Sequence, residues 1–211
     1  NFPEGSLGLG TKYQKEHGIT WDIQKNIDRF LDFNHYRTNP AVIRQLIGKS
    51  GETIDWVVDK GVEIRGIRPL WPQGESYNCW HLFKGGASTV ISKLSDQIKA
   101  QGGQILMQTP AQKLITKDGK VVGIEAVNSK TGEKYIINAK KVILATGGFA
   151  ANKGMIEKYV TDSSDLSVSE PIRLRSAAGD GRTGDGINMA VKVGAAIAGM
   201  ENVVGNAPYL P

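Results

Sequence analysis

Cysteine is almost missing from this 211-residue chain, with Cys79 the only one. No disulfide can form within it, and no cysteine-based metal site is possible. Histidine is scarce too: His17, His35 and His81 are scattered, with no pair at metal-ligand spacing. No apolar run approaches the roughly 20 residues of a membrane-spanning helix, and no leader peptide is visible. Neither sign of charge dominates: 26 Lys and Arg stand against 21 Asp and Glu, a formal net charge of +5. The excess is spread along the chain and aromatics make up only 7%. No basic stripe with interleaved aromatics results, so nucleic acid is not an expected partner. Several catalytic signatures are also missing. There is no P-loop, no G-x-S-x-G and no complete G-x-G-x-x-G, because "GLGTKY" lacks the third glycine. "DGRTGDG" is not a calcium loop, since no Glu stands at the twelfth position.

Glycine is what the chain has in plenty, 26 residues, against a usual share of about 7%. The glycines come in short clusters, so they read as positional rather than low-complexity. The apolar fraction of 40% is enough for a core. The length suits one domain, or one and a half. The first residue is Asn1 rather than Met, which reads as a processed protein or an excised fragment.

Residues 1–19 read as a glycine-rich loop. Residues 20–62 read as helical, with Thr20 as N-cap and Ile23, Ile27, Phe30 and Leu31 at helical spacing. Asn39-Pro40 opens a second helix. "GETIDWVVDKGVEI" reads as a third, with Gly61 at its end. Residues 65–84 read as irregular, with Pro69, Pro72 and an aromatic cluster of Trp71, Tyr77, Trp80, His81 and Phe83. Within that cluster His81 reads as a surface or packing residue, and Cys79 as packing. Gly85-Gly86 precedes a helix with Val90, Ile91, Leu94 and Ile98 as its stripe, ended by Gly102. "QILMQ" reads as a short strand. Residues 110–146 alternate in strand fashion, turn at Asp118-Gly119 and again at 129–132, and form a three-stranded antiparallel meander that leads into a last strand. "VILAT", 142–146, reads as a strand buried on both faces. Residues 151–159 read as a helix, 160–186 as a polar loop and 187–200 as a helix rich in small residues. "ENVVGNAPYLP" then begins like a strand.

Two stretches carry the chemistry. Ligands of open α/β sheets bind outside the carboxyl ends of parallel strands. "VILATGG" puts Gly147 and Gly148 at such an end, where a missing Cβ lets a flat cofactor or a phosphate lie on the backbone. The bland alternative is that Gly147 only forms a turn. "TGDG", residues 183–186, precedes a helix whose N-terminus suits an anion. The bland alternative there is that Asp185 caps its own helix.

As a set, these segments resemble the FAD-dependent fumarate reductase and succinate dehydrogenase flavoprotein family, with its urocanate reductase and 3-ketosteroid dehydrogenase relatives. "NFPEGSLGLGTKYQ", "NPAVIRQLIGKSGETIDWVVDKGVEI", the stretch from "GGASTVISKLSDQ" to "ILATGGFAANKGMI", and "TGDGINMAVKVGAAIAGME" match it in colinear order. The resemblance implies an α/β fold: a partial Rossmann-like FAD-binding domain with a helical layer and the antiparallel meander. It divides the chain into a loop and helical layer (1–64), a helix, meander and A-T-G-G strand (85–148), and a T-G-D-G helix with the start of a clamp connection (183–211). FAD is the implied cofactor. By motif position, Ala111 would meet the adenine side through its backbone. Ala145, Thr146, Gly147 and Gly148 would line the cofactor at the strand end, and Asp185 would lie near the flavin. Gly5 and Ser6 match a Gly-Gly pair of the family, with Ser in place of the second Gly.

The family's G-x-G-x-x-G belongs upstream of Asn1 and its clamp downstream of Pro211. The resemblance therefore implies a middle fragment, inactive alone and weak in FAD binding. Where fumarate reductases carry a substrate-holding His-Pro-Thr, this chain has "MENVVGNAPYLP", with Asn206 or Ala207 near the histidine's place. No catalytic residue is assigned. The implied activity is hydride transfer between FAD and an activated C=C bond of a small substrate, with an electron donor as a further partner. The competing readings are a non-catalytic flavin- or nucleotide-binding module within an assembly, and a plain α/β interaction domain.

Overall fold

The structure, a computed structural model, describes residues 5–69, 78–160 and 181–201. Two compact units divide the chain, Asn1–Ile105 and Leu106–Pro211. The elements are α and β mixed, as expected, with a helical layer in the first unit and an antiparallel meander in the second.

The first unit holds β1 (Gly5–Leu7), α1 (Lys12–Glu16), α2 (Ile23–Phe33), α3 (Pro40–Asp59), β2 (Ile64–Pro69), β3 (Asn78–Phe83) and α4 (Gly86–Ala100). Its sheet runs β1-β3-β2, antiparallel throughout. The cap of α2 is Asp22, not Thr20: its carboxylate accepts from Lys25 N–H at 2.9 Å. Asn39 caps α3 by accepting from Ala41 N–H, and Pro40 takes the first helical position, where no N–H is needed.

Two helices were expected across residues 40–59, and one continuous helix is found. Gly51 does not break it. A Cβ there would run into the Leu9 backbone, so this glycine serves close packing. Ile43, Ile47, Ser50, Ile54 and Val57 form the buried face at alternating spacings of four and three. α3 ends at Gly61 (φ 88°), where Gly61 N–H reaches Val58 O and Val62 N–H reaches Val57 O. One core joins Leu9, Ile27, Leu31, Ile43, Ile47 and Cys79. A second joins Ile54, Val57, Val62 and Phe83.

Within 65–84, the described residues 65–69 and 78–83 are not irregular as expected. They supply most of β2 and all of β3, with Cys79, His81 and Phe83 alternating inward at 1%, 0% and 6% exposure. Pro69 argued against a strand, yet it sits at the last residue of an edge strand, beside a register shift. Trp71 and Tyr77 lie outside the described residues. The reading of 1–19 as loop also missed β1 and α1, which are too short to show a period. α4 carries its expected stripe only in part. Ile91 and Ile98 are exposed, and Val90 alone is packed against the second core.

The second unit holds β4 (Ala111–Lys117), β5 (Lys120–Val127), β6 (Lys134–Asn138), α5 (Lys153–Tyr159) and α6 (Asp185–Lys192). The expected meander is present, in the order β4-β5-β6. Asp118 (φ 49°) and Gly119 (φ 72°) make the tight turn between β4 and β5. Asn128 builds the next one: its side-chain oxygen accepts from Lys130 and Thr131 N–H.

The two apolar stretches expected as strands, 104–108 and 142–146, join no sheet among the described residues, though Gln108 O accepts from Ser129 N–H. Ile143 is 90% exposed. A strand is defined by a partner that takes its N–H and C=O groups, and apolar sequence alone does not supply one. The last helix is shorter than expected. It stops at Lys192, closed by Gly194 (φ 92°) and by Ala195 N–H bonding back to Ala190 O. "ENVVGNAPYLP" lies outside the described residues apart from Glu201, as does most of the 160–186 loop. Among the described residues no helix is long and apolar enough to cross a membrane, and no cluster of His, Cys, Asp and Glu could hold a metal ion.

Candidate functional site

The A-T-G-G and T-G-D-G stretches, far apart in sequence, are stitched into one double turn in the second unit. Gly184 N–H donates to Gly148 O at 3.1 Å, and Ala151 N–H donates to Arg182 O at 2.9 Å. Asn152 Nδ2 donates to Thr183 O at 2.8 Å. The same Asn152 caps α5, its Oδ1 accepting from Met155 N–H. One side chain therefore fixes both the start of α5 and the approach to α6. Sequence reading marked neither Asn152 nor Arg182. Asn152 could have been flagged as a helix cap, but not its reach over 31 residues.

The packing beneath this turn is tight. Gly186 faces Thr146 so closely that a Cβ would overlap the threonine side chain. Gly184 (φ 77°) sits against Met155 and Phe149, with no room for a Cβ. Met155 and Met189 are buried below. The outer side is open. Ala145, Thr146, Gly147 and Gly148 are exposed. A Cβ on Gly148 would meet nothing within 4 Å, and one on Gly147 (φ 73°) would meet only Arg182 Cγ at 3.9 Å.

Asp185 does not cap its helix. Gly184 holds the cap position in left-handed conformation and offers no side chain. Asp185 is the first helical residue, exposed, where its charge favours the helix N-terminus.

The other expected site residues stand elsewhere. Ala111 opens β4, half-buried and opposite Ala126, and α6 packs on this same strand. Gln112, Lys113, Thr116, Met189 and Lys192 line a hollow of about 250 Å³ between the two. Gly5 and Ser6 belong to the first unit. Gly5 pairs with Leu82, and a Cβ there would strike the His81 carbonyl. Ser6 is exposed and borders a hollow of about 430 Å³ with Leu7, Phe30, Leu46 and Trp80. Trp80 Nε1 is buried without a hydrogen-bond partner among the described residues.

The double turn fits a flat or phosphorylated cofactor. Two exposed glycines present bare backbone, and the adjacent α6 begins without a side-chain cap on its N–H groups. Residues 8–210 match the FAD binding domain family. Vinyl phenol reductase of Lactiplantibacillus plantarum is 29% identical over 197 residues, covering 92% of this chain and 38% of that protein. NADH:acrylate oxidoreductase of Vibrio harveyi is 34% identical over 160 residues, covering 75% of this chain and 16% of that protein. The open conformation of a flavocytochrome c3 fumarate reductase superposes with a TM-score of 0.75 at 28% identity, covering 93% of this chain and 34% of that one. The chain thus spans less than two fifths of the length of each of these proteins. The match over residues 8–210 places it in the FAD binding domain family, among the fumarate reductase-like flavoproteins, with FAD as cofactor.

Proposed function

We propose that this chain is part of a flavoprotein oxidoreductase that moves hydride between FAD and an activated C=C bond of a small substrate. One piece of geometry carries the assignment: the Gly184–Gly148 bond joins the two turns, and the backbone of Gly147 and Gly148 is left open beside the start of α6. FAD supplies the hydride chemistry when bound, and the protein supplies binding and orientation. Ala145, Thr146, Gly147 and Gly148 line the cofactor through backbone, because no side chain intervenes at the two glycines. Thr146, wedged on Gly186, sets the height of that backbone above α6. Ala111 meets the adenine side by its backbone, Asp185 lies beside the flavin, and Gly5 and Ser6 add a contact from β1.

The reaction class is supported by the relatives, whose names specify vinyl phenol, acrylate and fumarate. Each of these compounds carries a C=C bond. Reduction of such a bond requires an electron donor, which is the second partner of the reaction. The test is the visible spectrum of the purified full-length protein, followed by reduction and exposure to fumarate, acrylate and vinyl phenol. Flavin absorption that bleaches on reduction and returns with one of these acceptors is expected. A protein without flavin, and with none restored by added FAD, would falsify the assignment. Bound flavin that no C=C acceptor reoxidises would leave a non-catalytic flavin-binding module.

A further inference from the structure

His81 lies on β3 at 0% exposure, in a polar chain with Thr11 and Gln14 at the start of α1. Its Nδ1 is 3.2 Å from the Cys79 carbonyl, and its Nε2 is 2.9 Å from Thr11 Oγ1. A carbonyl only accepts, so Nδ1 carries the proton and Nε2 accepts from the Thr11 hydroxyl. Thr11 Oγ1 accepts in turn from Gln14 N–H at 3.0 Å. Gln14 Oε1 accepts from Gly10 N–H at 2.8 Å and Thr11 N–H at 3.2 Å. Thr11 and Gln14 are as buried as the histidine. Gly8 makes room for the ring, since a Cβ there would lie 3.0 Å from it and 2.7 Å from Ile54 Cγ1. From α3, Ser50 Oγ accepts from Leu9 N–H at 3.1 Å, and the Asp55 carboxylate accepts from Lys12 N–H at 3.0 Å. The segment leading from β1 into α1 is thus gripped by β3 and by α3.

We propose that His81, as a neutral imidazole protonated on Nδ1, is the positioning residue that fixes the backbone of residues 5–11, and that its protonation releases this segment. Two elements present titratable groups to the ring, and a third presents a backbone carbonyl. α1 offers Tyr13, edge-on at 6.1 Å and itself stacked on His17. α3 offers Asp55, whose charge favours the protonated ring, and β3 offers the Cys79 carbonyl. Burial outweighs both of the last two and holds the imidazole below the usual histidine range. A proton on Nε2 would turn that atom into a donor. The Thr11 hydrogen would then have to swing to Gln14 Oε1 at 3.4 Å, and a charge would stand in the interior. The clasp stands on this geometry alone. Its bearing on the cofactor, through Gly5 and Ser6, rests on the proposed function.

The test is ring-¹⁵N histidine spectroscopy of the full-length protein between pH 5 and 8, with His81→Gln identifying the signal, together with amide hydrogen exchange. The Nδ1–H tautomer is expected, with a midpoint below the ordinary histidine value of about 6.5. Thr11→Val should raise exchange of the Leu9 to Gln14 amides roughly tenfold at neutral pH, the worth of one buried hydrogen bond, whereas Thr11→Ser should keep the protection. An Nε2–H tautomer, an ordinary midpoint, or unchanged exchange in Thr11→Val would overturn the proposal. Flavin affinity separates the two ideas. Loosened amides with unaltered FAD binding keep the clasp and remove Gly5 and Ser6 from the cofactor site.

Discussion

The glycines packed around β1 and α3 in the first unit contrast with Gly147 and Gly148 in the second. In the first, the glycines around β1 and α3 are filled from inside: Gly5 by the His81 carbonyl, Gly8 by Ile54 and the His81 ring, Gly51 by the Leu9 backbone, while Gly18, Gly48 and Gly66 meet nothing. Polar side chains there are buried and paired, as in Thr11, Gln14, Ser50 and His81. In the second, Gly186 and Gly184 are filled from below, but Gly147 and Gly148 face outward with nothing, or almost nothing, against them. A glycine whose missing Cβ is matched by a protein atom is explained by packing. A glycine that faces open space beside a helix start leaves bare backbone that a ligand can approach. Composition alone makes these glycines look the same, and only their neighbours separate them.

Substitutions can break this contrast. The largest effect is expected in the first unit's core, where Ile47→Ala should cost about 2–5 kcal/mol by chemical denaturation. Next comes Gly186→Ala, which forces a Cβ into Thr146 and should cost roughly 1–3 kcal/mol. Pairing it with Thr146→Ala should recover part of that loss, and a double-mutant cycle showing strict additivity would refute the contact. Gly148→Ala separates folding from binding. Stability should hold, while FAD affinity falls about tenfold, or ~1.4 kcal/mol. Unchanged FAD affinity would mean that no cofactor lies on this backbone.

A gentler probe is pH. The unfolded state takes up a proton on His81 below about 6.5, and the folded state resists it. Stability from this group is therefore complete above that pH and declines as the pH falls toward the lower folded midpoint. Thermal melts across pH 5 to 8 should show the decline, and His81→Gln should flatten it. Smallest of all, Lys84→Ala should leave stability unchanged within error. Its 2.8 Å pair with Glu63 is exposed on both sides, and water screens it.

Much of the architecture could be read locally. Asn39-Pro40 marked a helix start, Gly61 and Gly102 marked helix ends, and Asp118-Gly119 marked the hairpin. Each is a signal spelled within a few residues by backbone preference. What failed was long-range. β2 and β3 were hidden because Pro69 suppressed the strand reading, whereas an edge position tolerates it. Residues 142–146 look like a strand by composition, yet pairing depends on a neighbour. The Asn152–Thr183 bond spans 31 residues and the Thr11–His81 bond spans 70.

The sequence by itself determined the meander, several helix ends and the two glycine turns, because these follow from local torsion preferences and hydrophobic period. It also carried the resemblance that implies the α/β fold class and FAD. Tertiary structure alone decided which glycines are filled and which are open, that α3 runs unbroken past Gly51, and that His81 is an internal acceptor for Thr11 rather than a surface group. The reason is physical: burial and hydrogen-bond partnership are properties of neighbours in space, and the neighbours here lie tens of residues apart in the chain.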